Sequence, residues 1–95
     1  MNLNLIISPK ADSDLKDIQL FIQQENPMAA VRVTEAILQQ LENLRLFPYV
    51  GTSVKGLNNF RKLAIKGFPY YVFYSVGQSN IHILRVYHTA REDLF

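Results

Sequence analysis

Cysteine is absent from the 95 residues, so neither a disulfide framework nor a thiolate metal site is available. Histidine is scarce: His82 and His88, with only Glu92 and Asp93 as nearby acids, do not make a zinc site. No apolar run approaches the roughly 20 residues of a membrane span, and the first residues lack the charged-then-apolar layout of a secretory signal. The chain therefore reads as a soluble cytoplasmic protein with no metal, no cofactor and no membrane partner. Glycine is thinly spread at Gly51, Gly56, Gly67 and Gly77, which gives turns and no phosphate-cradling loop. Nucleophilic catalysis has no foothold either, because Ser8 reads as a helix cap and Ser75 sits mid-strand, outside any nucleophile elbow. Asp12, Asp14 and Asp17 crowd a helix start, where solvation and the positive end of the helix dipole account for them without glycosidase-like chemistry.

Carboxylates are missing altogether from residues 46 to 91. Residues 1–45 carry four Lys and Arg against six Asp and Glu, whereas residues 46–95 carry six against two. A one-sided basic half is an electrostatic footprint for an anionic partner. The same lysines and arginines could instead solvate a small sheet and blunt its edges.

What is present suffices for one domain over residues 1–95: 48% of the chain is hydrophobic, enough for a single well-filled core. Residues 3–7 read as a short strand. Ser8-Pro9 opens a helix as cap and first-turn proline, and Ala11, Leu15, Ile18 and Ile22 make its apolar stripe to about Glu25. Asn26-Pro27 repeats the device. Ala30, Val33, Ile37, Leu41 and Leu44, widened by Leu38, predict a second helix that stops near Leu46 or Phe47 ahead of Pro48. So close a connection makes the two helices an antiparallel hairpin.

Loop chemistry fills 48–59, and then the period changes to two. Phe60–Ile65 is a strand with Arg61, Leu63 and Ile65 on one face. Tyr70–Val76 is the strongest strand, and Asn80–His88 returns after a hairpin, with Ile81, Ile83, Arg85 and Tyr87 on one face and His82, Leu84, Val86 and His88 on the other. The fold class is α+β in the order β-α-α-β-β-β, a helical hairpin packed on a small antiparallel sheet.

The remaining chemistry is cationic: Arg61, Lys62, Lys66, Arg85, His88 and Arg91. Strands placed side by side would bring these cations together on one wall of the sheet, with the helices on the opposite wall. Such a wall can hold phosphates, and a histidine beside it can shuttle a proton. His88 can equally be a hydrogen-bonded structural residue, and Arg85 can pair with a carboxylate such as Glu92. The tyrosines at 70, 71, 74 and 87 can stack on bases or pack the sheet.

Several segments in this order resemble the RelE/ParE superfamily of type II toxin–antitoxin toxins. They are Ile7-Ser8-Pro9-Lys10-Ala11 with Asp14-Leu15, Phe47-Pro48 with Gly51, Phe60-Arg61-Lys62-Leu63, Tyr70–Val76, and Ile83–His88 leading to Arg91-Glu92. The RelE branch cuts messenger RNA in the ribosome with a basic set and a late tyrosine. Lys62 and Arg91 match that set, whereas Ala64 and Tyr71 stand at two of its basic positions and the chain ends at Phe95 before the tyrosine. The ParE-like branch, which poisons DNA gyrase, is the closer resemblance through Arg85-Val86-Tyr87-His88 and Arg91. That resemblance implies a target-binding surface of Arg61, Lys62, Arg85, His88 and Arg91. If the chain were a nuclease, Lys62, Arg85, His88 and Arg91 would be its catalytic set. It also implies a cognate antitoxin in a hetero-oligomer, an acidic amphipathic segment received by Leu20, Phe21 and Val31. The alternatives to a gyrase poison are a ribosome-dependent endoribonuclease and an inactive binding module of the same fold.

Overall fold

The computed structural model describes residues 2–57 and 59–90. Strand β1 (Asn4–Ile7) leads into helices α1 (Pro9–Gln23) and α2 (Pro27–Leu44). The strands β2 (Thr52–Ser53), β3 (Phe60–Ala64), β4 (Tyr70–Val76) and β5 (Asn80–His88) follow. Both helices start as their capping signals require. Ser8 Oγ accepts the Ala11 N–H at 3.0 Å and Asn26 Oδ1 accepts that of Ala29 at 3.1 Å, with proline in each first turn. The α2 stripe Ala30, Val33, Ile37, Leu41 and Leu44 is buried in full. Leu38 does not widen it: the side chain is 44% exposed, turned away from the sheet.

The helices cover one face of a five-stranded sheet of order β1-β5-β4-β3-β2. Strands β2 to β5 are antiparallel, as expected for the helix hairpin on its sheet. Two features enlarge that picture. β1 joins the far side of β5 in parallel, Asn4 opposite Asn80 through Ile7 opposite Ile83, so the sheet is mixed. The two-residue β2, inside the segment read as loop, pairs Thr52 with Lys62 and Ser53 with Arg61. A parallel pair needs a long crossover, and here α1, α2 and three strands supply it.

The core lies between the helices and the sheet. Val72, Tyr74 and Val76 of β4 meet Ile81, Ile83 and Val86 of β5 there, with Ile37, Leu41 and Leu44 from α2. The register of β4 against β5 slips between Phe73 and Tyr74, whose partners are Arg85 and Ile83, leaving Leu84 as an extra residue. This bulge corrects the face assignment for β5. Beyond it the alternation inverts, so Val86 and His88, opposite Val72 and Tyr70, join Ile81 and Ile83 on the helix side. No helix among the described residues is long and apolar enough to cross a membrane.

Candidate functional site

Among the described residues Arg61, Lys62 and Arg85 do not gather on one wall, and each has a separate local reason for its position. Arg61 pairs across the sheet with Tyr74 and therefore stands on the helix side. Its Nη1 donates to the carbonyls of Gly51 at 2.7 Å and Tyr49 at 3.2 Å, and the guanidinium lies 5.0 Å over the Tyr49 ring. Lys62, one residue on, takes the opposite face and places Nζ 4.5 Å from the centre of the Tyr71 ring. Next to it the Phe60 and Phe73 rings stack at 5.6 Å. Arg61 and Lys62 thus face opposite sides of the sheet.

Arg85 is held by α1. Its Nε donates to Asp14 Oδ2 at 2.8 Å and its Nη2 to Asp14 Oδ1 at 3.3 Å, while the Val86 N–H donates to Oδ2 at 2.9 Å. The hydrogen bond to Asp14, opposed by burial and supported by the charge of the same carboxylate, raises the Arg85 pKa above its ordinary value. The side chain of Asp14 is only 9% exposed. Asp14 is accordingly not a solvated helix-start carboxylate. It closes the edge of β5 beyond the point where β1 ends, and it is the partner that the sequence left open between Glu92 and a ligand. Ser8 assists, accepting Ala11 at the helix cap and donating its hydroxyl to the Leu84 carbonyl at 3.1 Å. A signal for Asp14 was available: Ala11, Asp14 and Ile18 step by three and four, which places the carboxylate inside the apolar stripe.

His88 is exposed at the end of β5, edge-on to Tyr70 with ring centres 5.4 Å apart. Its Nδ1 accepts the Ala90 N–H at 3.0 Å. Arg91, together with Glu92, lies outside the described residues. Among the described residues no three His, Cys, Asp or Glu side chains stand together as a metal site. A mostly apolar groove of about 400 Å³ runs between α1 and the end of β5, lined by Ile18, Phe21, Tyr70, Arg85 and His88. Leu20, Phe21 and Val31 are 60%, 71% and 46% exposed around the turn of the helix hairpin.

Tyr74, expected to stack on bases or pack the sheet, packs the core and also organises the loop after α2. Fully buried, its hydroxyl donates to the Pro48 carbonyl at 2.8 Å and accepts the Gly51 N–H at 3.0 Å. Burial raises the Tyr74 pKa above 10.0, against smaller lowering effects of the Gly51 hydrogen bond and the Arg61 charge, and burial also raises that of Tyr70. With the folded pKa above the unfolded one, this stability is whole below about pH 10 and is lost as pH climbs through the folded value. The melting temperature should therefore fall over the interval that begins near pH 10 and ends at the folded value. Tyr74→Phe, though less stable at neutral pH, should lose less across that interval. An equal fall in both proteins would exclude Tyr74 as a source.

The family model that matches is described as the ParE toxin of the type II toxin–antitoxin system parDE, and it covers residues 5–93. No curated protein matches by sequence. Among solved structures, the fold is similar to a chain of the chromosomal ParDE system of P. aeruginosa, with a TM-score of 0.79 and 23% identity over 90% of this chain and 95% of that one. It is similar to a RelE toxin mutant of E. coli in the free state, with a TM-score of 0.74 and 13% identity over 99% and 90% of the two chains. A chain of the RelBE2 toxin–antitoxin complex of Mycobacterium tuberculosis gives a TM-score of 0.62 and 21% identity, over 93% and 99%.

Proposed function

Since the chain belongs to the ParE toxin family of type II toxin–antitoxin systems, we propose that it arrests growth by poisoning DNA gyrase in the cytoplasm. A cognate antitoxin holds it inactive. The observation that carries this choice over a ribonuclease is the dispersal of the cations. Phosphodiester cleavage by general acid–base chemistry needs a base, an acid and a charge stabiliser around one phosphate. Here Arg61 holds a loop on the helix side, Lys62 lies on the other face over Tyr71, and Arg85 is bound to Asp14. Such an arrangement supports a toxin that acts by binding. Lys62, His88 and Arg91 remain the cations proposed to meet the target, while Arg85, bound to Asp14, contributes chiefly by shaping the surface.

The antitoxin reading is supported by the exposed Leu20, Phe21 and Val31 and by the apolar groove beside Phe21, which together offer a docking track along the helix hairpin. An antitoxin partner is also supported by the similarity to chains of the ParDE system and of the RelBE2 toxin–antitoxin complex. Expression in a bacterial host tests the proposal. Growth should stop, chromosomal double-strand breaks should accumulate, and co-expression of the antitoxin from the adjacent reading frame should restore growth. Arrest with an intact chromosome and cleaved messenger RNA would instead favour the ribonuclease, and unaffected growth an inactive module.

A further inference from the structure

A stretch of apolar side chains projects from the loop that follows α2. Leu46, Phe47, Tyr49 and Val50 are 56%, 65%, 63% and 62% exposed. Contiguous apolar exposure of this kind marks interaction sites in small proteins. The backbone beneath it is fixed. Pro48 is buried and its carbonyl takes the Tyr74 hydroxyl. The Val50 N–H closes a turn onto the Phe47 carbonyl at 3.3 Å, and Arg61 grips the carbonyls of Tyr49 and Gly51. Four apolar side chains thus stand on a preorganised support, which lowers the ordering cost of binding.

Charge indicates the partner. Arg61, under the Tyr49 ring, is satisfied by carbonyls and by the ring face, and no carboxylate is among these contacts. Neither Asp nor Glu occurs between residues 46 and 91. The surface that complements the loop is therefore apolar at its centre and acidic at its rim. The loop also follows the far end of the 18-residue α2, which is about 27 Å long at 1.5 Å per residue, whereas Leu20, Phe21 and Val31 cluster near its start.

We propose that the loop Leu46–Val50 is the edge by which the toxin grips its target protein: Phe47 and its neighbours enter an apolar notch on gyrase, and Arg61 meets carboxylates at the rim. The proposal rests on the gyrase reading given above. It assigns to binding a loop outside the helix-hairpin patch and joins to it one member of the cation set, Arg61.

Phe47→Asp and Val50→Asp test it, because both side chains are mainly in water and their loss leaves the core intact. Purified gyrase and supercoiled plasmid are titrated with each variant, and the trapped cleaved plasmid is measured. Each variant should need about 30-fold more protein than wild type for equal trapping, as for a hot-spot residue. Their melting temperatures should stay within a few degrees of wild type, and Phe47→Ser replaces any variant that does not fold. Leu38→Asp, an equally polar change on the exposed side of α2, should trap like wild type. Undiminished trapping by the folded loop variants, or an equal loss in Leu38→Asp, would overturn the proposal while leaving the gyrase reading in place. Absence of trapping by the wild-type toxin would instead remove the gyrase reading, and this assignment with it.

Discussion

Asp14→Ala is expected to destabilise the protein by about 2–4 kcal/mol, somewhat below the usual cost of breaking a buried ion pair because the Arg85 side chain keeps 27% of its surface in water. The carboxylate serves three donors at once, two from Arg85 and the N–H of Val86. Alanine leaves the backbone donor and the guanidinium without a partner at a sheet edge that α1 covers, and an unsatisfied buried donor costs about 1–3 kcal/mol by itself. For a chain of this size the loss corresponds to a fall in melting temperature of roughly 10–25 °C. Asp14→Asn should cost less, because its amide oxygen can still accept from Val86. Arg85→Leu in the Asp14→Ala background should recover part of the loss, since the orphaned charge is gone, and a double-mutant cycle would report that coupling. Additive effects of the two substitutions would show that the pair does not act as a unit.

The second large effect is expected at Gly51. A Cβ there would lie 2.6 Å from the Tyr74 hydroxyl and 2.9 Å from the Lys62 carbonyl oxygen. The Lys62 backbone belongs to β3, held between β2 and β4, and cannot retreat without breaking the ladder. The Gly51 segment must then move out, which separates Arg61 from its carbonyl acceptors and the Tyr74 hydroxyl from Gly51. Gly51→Ala should cost about 1–3 kcal/mol, the usual range for overpacking, read as a lower denaturant midpoint at unchanged slope. Tyr74→Phe removes the nearest obstructing atom. Combined with Gly51→Ala it should cost less than the sum of the two single changes. A neutral Gly51→Ala would mean that the loop is not seated as described.

These two positions mark where the sequence could and could not be read. Local signals sufficed for the helices: Ser8-Pro9 and Asn26-Pro27 cap them, and the spacing of Ala30, Val33, Ile37, Leu41 and Leu44 names the buried stripe of α2. Tyr70–Val76 and Asn80–His88 were legible end to end from alternation and β-branched content. The bulge at Leu84 was not, because one inserted residue leaves no compositional mark, yet it inverts the faces of everything after it. The cation wall failed for two other reasons. Arg61 and Lys62 are neighbours on one strand and so face opposite sides. Arginines serve buried carboxylates and loop carbonyls as readily as ligands, and the partners of Arg61 and Arg85 lie 10 and 71 residues away, beyond any local pattern. Tyr74 and Gly51, 23 residues apart, are a third case: neither suggests alone that a hydroxyl would fill the space a Cβ would need.

The proposed function is that of a toxin that acts by gripping an enzyme and does not itself cut nucleic acid. Incubating the purified wild-type protein with gyrase, ATP and supercoiled plasmid, and in parallel with a translating extract programmed with a defined messenger, tests that most directly. Linear plasmid covalently held by gyrase, with the messenger intact, is the predicted result. Cleaved messenger in the extract, with the plasmid processed normally by gyrase, would contradict it.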